Sequence, residues 1–270
     1  MGRIQRSFQL VGQSYRVLMQ DTELLLLPLI SGIVMAVAVG LAAFGLGVEG
    51  LDTRAATPEV YVPLFLLYVL LYAVGIFFQC AVIAGATERM RGGNPTLGSA
   101  LGAASRRIVP ILIWACAAAT IGMALKAIQD RAGFVGKLVV GLLGAAWSLA
   151  TFFVAPVLVL EDAYVGDVLG RSVELFKQTW GETFVGGASL GIASFAAWMT
   201  LVAVTGFLAW TVGTPALVFF VPCAILLMIF FSALQGVYVA SLYRYATDGE
   251  VPDGFDRQLL ASAFIEKDRR

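Results

Sequence analysis

Residues 183–243 run for 61 positions without an Asp, Glu, Lys or Arg. A single helix of that length would measure about 90 Å at about 1.5 Å per residue, roughly three times the ~30 Å hydrocarbon core of a bilayer. The run must therefore turn back on itself within a membrane. Thr211-Val212-Gly213-Thr214-Pro215 supplies the turn residues, which places two spans near 183–210 and 216–243.

The same test applied upstream finds four more spans. Residues 24–48 give 25 positions without a charge, against the roughly 20 that a crossing requires, and Pro28 is tolerable so near the start. Further apolar runs cover 60–86, 108–125 and 138–160. An acidic loop with Glu49, Asp52, Arg54 and Glu59 joins the first two, and a mixed-charge loop from Lys126 to Lys137 joins the third and fourth. The expected fold class is all-α: a polytopic membrane bundle of six transmembrane helices within residues 1–245. A polar tail over 246–270 follows, in which Phe255, Leu259, Leu260 and Phe264 mark a short surface helix. Composition agrees, since 13% of residues are charged where a soluble domain has about 25%.

Histidine is absent, which removes Ser-His and Cys-His nucleophiles and His-ligated zinc and haem. Cys80, Cys116 and Cys223 stand isolated inside apolar runs and read as small buried hydrophobes. Lys plus Arg equals Asp plus Glu at 18 each, so no basic excess points to nucleic acid. No ionisable residue lies well within a span, which counts against ion-coupled transport. The expectation is a protein without enzymatic activity, cofactor or metal.

Between the fourth and fifth spans, residues 161–182 place Val165, Val168, Leu169, Ser172/Val173, Phe176 and Trp180 at intervals of three and four, with Asp167, Arg171, Glu174, Lys177 and Gln178 opposite. That spacing predicts an amphipathic helix, and its position between apolar runs places it in the membrane interface. Residues 3–20 and 87–107 carry a related pattern. Ser14, Ser105 and Ser172 align: Leu10, Leu101 and Val168 precede them by four, and Val17-Leu18, Ile108-Val109 and Leu175-Phe176 follow by three and four. Phe77-Phe78, Phe152-Phe153 and Phe230-Phe231 recur in the second helix of each hairpin. The plan is an interfacial helix followed by a transmembrane hairpin, three times over.

Of the 18 Lys and Arg residues, 14 fall on the side shared by both termini and 4 on the other. The positive-inside rule makes that side cytoplasmic. Few candidate functional groups remain. Gln79 and Gln235 are the bulkiest neutral polar residues within the spans; they mark either a polar path or, the plainer reading, interhelical hydrogen bonds. Arg89, Arg91, Arg106 and Arg107 are candidates for anionic lipid head groups. Glu23, Glu88, Glu161 and Asp162 lie at span ends, where pairing with these arginines outweighs capture of a cation. Gly187, Gly191 and Ser194 form a small-residue stripe on the fifth span, suited to close approach of another helix of the same chain, or of a second copy.

The stretches SFQLVGQSYRVLMQDTELLLLPL, FFVAPVLVLEDAYVGDVLGRSVELFKQTWGE and SLYRYATDGEVPDGF resemble an uncharacterised bacterial family of six-helix integral membrane proteins. More loosely, the helix-plus-hairpin plan is similar to the membrane domain that precedes some glycerophosphodiester phosphodiesterases. The resemblance implies a bacterial cytoplasmic membrane and transfers no catalytic residue. The function expected is a membrane-organising or accessory component that binds membrane lipids or a membrane protein partner; the alternative is a passive channel or a transporter of a small or lipid-like solute.

Overall fold

The computed structural model describes residues 3–46, 58–213 and 218–248. The loop over 49–57 and the tail with Phe255, Leu259, Leu260 and Phe264 lie outside the described residues. Among the described residues all regular structure is helical: α1 (Arg3–Gln20), a 3-10 turn (Thr22–Leu25), α2 (Leu26–Leu46), α3 (Pro58–Met90), α4 (Leu97–Arg106), α5 (Ile108–Arg131), α6 (Phe134–Ala150), α7 (Val154–Leu160), α8 (Val165–Val212) and α9 (Phe220–Asp248). Six stretches are long and apolar enough to cross a membrane: Thr22–Gly45, Val62–Met90, Ile108–Arg131, Phe134–Leu160, Ser189–Thr211 and Phe220–Thr247. The chain is thus an all-α, multi-pass membrane protein.

Three boundaries differ from the sequence expectation. The third span does not stop at Leu125, because residues as far as Arg131 continue α5; Lys126 and Arg131 have long stems that keep a helix while their charges reach water. The fourth span is two helices, α6 and α7, separated at Thr151–Phe153. The stretch expected to lie flat before the fifth span is instead continuous with it. Both belong to α8, 48 residues long, since nothing between Glu182 and Ser189 breaks a helix and Gly186-Gly187 costs only about 1 kcal/mol per glycine.

The chain divides into two compact units, one comprising Met1–Pro28, Gly85–Leu97 and Lys177–Arg270, the other Leu29–Ala84 and Gly98–Phe176. In the first, α1 packs against α9 and the 3-10 turn, burying Val17, Leu18, Leu24 and Leu27 together with α9 residues Leu234, Val237, Tyr238 and Leu242. The Tyr15 and Phe230 rings meet edge to face at 6.0 Å. Farther out, α8 from Gly191 and α9 before Ala233 expose apolar side chains such as Phe195, Phe207, Val221 and Leu226, as a surface solvated by lipid does.

In the second unit α5 packs on α6, with the Trp114 and Trp147 rings stacked at 6.1 Å. A side chain at Gly122 would come within 3.0 Å of the Tyr68 hydroxyl, so this glycine permits the close approach of α5 and α3. The centre of the unit is α7, every residue of which from Val154 to Val159 is buried. Over residues 165–179 of α8, the buried positions are Val168, Ser172, Leu175, Phe176 and Thr179, a stripe with the period of a helix. Asp167, Gly170, Glu174, Lys177 and Gln178 are exposed; Trp180 lies where side chains are outside the described set.

The aligned serines do not behave alike. Ser14 and Ser172 are fully buried, and so are Val17, Leu18 and Leu175. Ser105 is exposed, as are Ile108 and Val109, while the buried residues of α4 are Ala100 and Ala104. The middle segment therefore presents its inward face one residue earlier than the alignment placed it. All three Phe-Phe pairs adopt the same edge-to-face arrangement, with ring centroids at 5.4, 4.9 and 5.3 Å.

Candidate functional site

The polar groups of the first unit gather where α3 ends. Gly92 has φ of 78°, a left-handed conformation that favours glycine. With it, Gly92 N donates to Arg89 O and Gly93 N to Glu88 O, the paired bonds of a Schellman terminus. The Met90 carbonyl accepts a hydrogen bond from Arg244 Nη1 of α9 at 2.6 Å. A cation at a helix carboxyl terminus also meets the negative end of the macrodipole. Arg89 pairs through two nitrogens with Asp21 and donates to Asn94 Oδ1 at 3.0 Å. Glu23 accepts from Leu97 N at 3.4 Å, so a carboxylate from the start of the first span faces the first turn of α4.

The second unit builds a comparable arrangement at the end of α7. Arg107 Nη2 donates to the Glu161 carbonyl at 2.7 Å and pairs with Asp162. Arg171 bonds the Glu161 carboxylate at 3.2 and 3.3 Å and Glu174 at 2.8 Å. The bonds to Glu174 and then Glu161 raise the Arg171 pKa above its ordinary value and hold the guanidinium charged.

A single hydroxyl resolves the interruption between α6 and α7. Phe152 N donates to Leu149 O and Val154 N to Thr151 O, each one residue short of α-helical register. That slip leaves Phe153 N and Ala150 O without a backbone partner. Ser172 Oγ accepts from Phe153 N at 3.0 Å and donates to Ala150 O at 2.6 Å, using both capacities of one hydroxyl. On the other side, Cys80 Sγ donates to Ala155 O at 3.4 Å. Irregular backbone at membrane depth is tolerated where protein encloses it and side chains satisfy it.

The sequence candidates separate accordingly. Arg89 and Arg107 are committed to Asp21 and Asp162, whereas Arg91 and Arg106 are exposed and outside every ion pair among the described residues. Gln79 is half-buried on α3 beside Cys80, Gln235 is exposed on α9, and the two fall in different units. Gly191 is exposed, and a side chain there would meet nothing within 4 Å. The close approach of a neighbouring helix of the same chain that its spacing predicted is therefore not made at this position. Ser194 is half-buried; the surroundings of Gly187 lie outside the described residues. Among the described residues no three carboxylates or cysteines form a metal-ligand group. Cys80 is buried, but Cys116 and Cys223 are exposed, a correction explained by the lipid-facing surfaces of α5 and α9.

Sequence reading gave Asp21, Asn94 and Arg244 no role in a site, and it set Ser172 on the inner stripe and among the aligned serines without a partner for its hydroxyl. Arg244 carried one signal: it is the first charge after the 61-residue run.

The chain matches no curated protein and no solved structure. Residues 59–254 match the family of unknown function DUF6159. The match takes in five of the six spans, the α6–α7 interruption, and the Arg107 and Arg171 pairs. Covering well over half of the sequence, it shows that this chain is a member of DUF6159.

Proposed function

We propose that this protein is a non-catalytic, membrane-organising component of a bacterial cytoplasmic membrane that gathers anionic lipid on its cytoplasmic face. The observation that carries the reading is the division of the four arginines. Arg89 and Arg107 already have carboxylates, while Arg91 and Arg106, at the two ends of the segment joining the second and third spans, remain exposed. A juxtamembrane cation attracts an anionic head group by about 1 kcal/mol. Helix α1, with one apolar and one charged side, lies in the interface in this reading. The threefold helix-plus-hairpin plan, with its likeness to phosphodiesterase-linked membrane domains, belongs to the same proposal.

Native mass spectrometry of the protein released from nanodiscs containing phosphatidylglycerol and phosphatidylcholine tests it. Wild type is expected to retain phosphatidylglycerol, and the Arg91→Gln/Arg106→Gln variant to retain it about 25-fold less, from about fivefold per arginine at low salt. Equal retention by both proteins would overturn the reading.

One observation favours the second class of function. Interrupted helices line the paths of many transporters, and Gln79 is adjacent to Cys80, which touches the interrupted span. Solute efflux from proteoliposomes that is abolished by Gln79→Leu would support a passive path; no efflux above protein-free vesicles would exclude it for the solutes tried.

A further inference from the structure

We propose that α9 carries a self-association surface, a stripe of Val221, Ile225, Met228, Ser232 and Gln235 that pairs in the membrane with the same stripe of a second copy. All five residues are exposed. Their intervals of four, three, four and three residues are the 3.5-residue repeat of a helix–helix seam. The seam runs for about 21 Å, at about 1.5 Å per residue, and Ser232 is the small member that lets two backbones approach.

Gln235 separates this stripe from ordinary lipid-facing surface. From Ala233 to Arg244 every residue of α9 is buried except Gln235. It stands near the middle of the Phe220–Thr247 span, nine positions before Arg244, or about 13 Å along the helix. Its amide has no hydrogen-bond partner among the described residues, and acyl chains offer neither a donor nor an acceptor. A helix that covers the stripe supplies both.

Topology names the occupant. Copies of one chain insert in the same orientation, so two α9 helices meet in parallel about a two-fold axis along the membrane normal. In a parallel seam each residue faces its own counterpart at the same depth. Gln235 therefore meets Gln235 of the second copy. A primary amide carries donors and an acceptor in one group, so the two amides close a reciprocal pair of N–H···O bonds. A different protein would need a polar group of its own at that one depth. Cys223 and Leu226 are exposed as well, but at 100° per residue they fall off the stripe and stay against lipid.

Disulfide crosslinking of the full chain in its host membrane tests the seam. In a Cys116→Ala/Cys223→Ala background, the single substitutions Val221→Cys, Ile225→Cys, Met228→Cys and Ser232→Cys are each expected to join two copies on mild oxidation. Leu226→Cys, and Cys223 when restored, are expected to remain uncrosslinked. No crosslink at the four seam positions overturns the proposal, as does equal crosslinking on and off the seam, or crosslinking there to a different protein. Energy transfer between labelled copies diluted in phosphatidylcholine vesicles tests the amide, and the absence of anionic lipid keeps the result independent of Arg91 and Arg106. Gln235→Leu is expected to weaken association about tenfold, the loss of two interhelical hydrogen bonds, and Gln235→Asn to recover most of it. Association of Gln235→Leu as tight as wild type overturns the proposal.

Discussion

Asp21 and Asp162 each hold an arginine, but in different surroundings: Asp21 is 8% exposed and Asp162 is 95% exposed. The Asp21 carboxylate has few waters to return to, so removing its charge leaves Arg89 partly buried and short of a partner, whereas Asp162 exchanges its arginine for solvent at little cost. Asp21→Asn is therefore expected to lower stability by about 1.5–3 kcal/mol and Asp162→Asn by about 0–1 kcal/mol. Thermal unfolding of the purified variants in one detergent measures the difference, and equal losses would contradict this account. The arginines themselves were legible in the sequence, because charges stand out against apolar runs. Which acid each one meets was not, since Asp21 and Arg89 are 68 positions apart and only the packing of α1 and the end of α3 joins them.

At the scale of elements, α8 puts two environments on one continuous helix. Over 165–179 it has an inner stripe of Val168, Ser172, Leu175, Phe176 and Thr179, and single cysteines there should react slowly with an aqueous maleimide. Cysteines at 167, 170, 174, 177 and 178 should react quickly, giving a period near 3.6. Uniform reactivity would remove the inner stripe. Beyond Leu190 the same helix is mostly exposed, with Thr205 buried, and Gly191 faces open space. Gly191→Leu is accordingly expected to change thermal stability by no more than about 0.5 kcal/mol. A larger loss would mean that this face is covered, and a fall in oligomer size on light scattering would assign the cover to a second copy.

For the whole molecule, six spans and the distribution of 14 of 18 basic residues predict both termini and residues 161–182 in the cytoplasm, with the loop near Asp52 on the opposite side. Reporter fusions at the four places read this directly. A C-terminal reporter on the side opposite to residues 161–182 would break the pairing of α8 and α9 as successive spans.

The spans were readable from the chain alone because transfer into hydrocarbon is close to additive: each residue's preference is its own, and a run of 20 or so apolar residues sums to a crossing. Part of the inward face of residues 165–179 was readable for a related reason, since helical periodicity is local: Val168, Ser172 and Phe176 are buried as expected, whereas Val165, Leu169 and Val173 are half-buried and Leu175 and Thr179 are buried instead. The interruption of the fourth span was not readable in this way. Residues 138–160 carry no charge and form an unbroken apolar run, and Pro156 alone permits either a kink or a break. What decided between them was a hydroxyl 19 positions from Phe153 and 22 from Ala150, brought there by the packing of α8. The capping of Met90 by Arg244, 154 residues away, has the same origin. Hydrogen bonds to stranded backbone groups depend on which helix ends come together, and only the tertiary structure sets that.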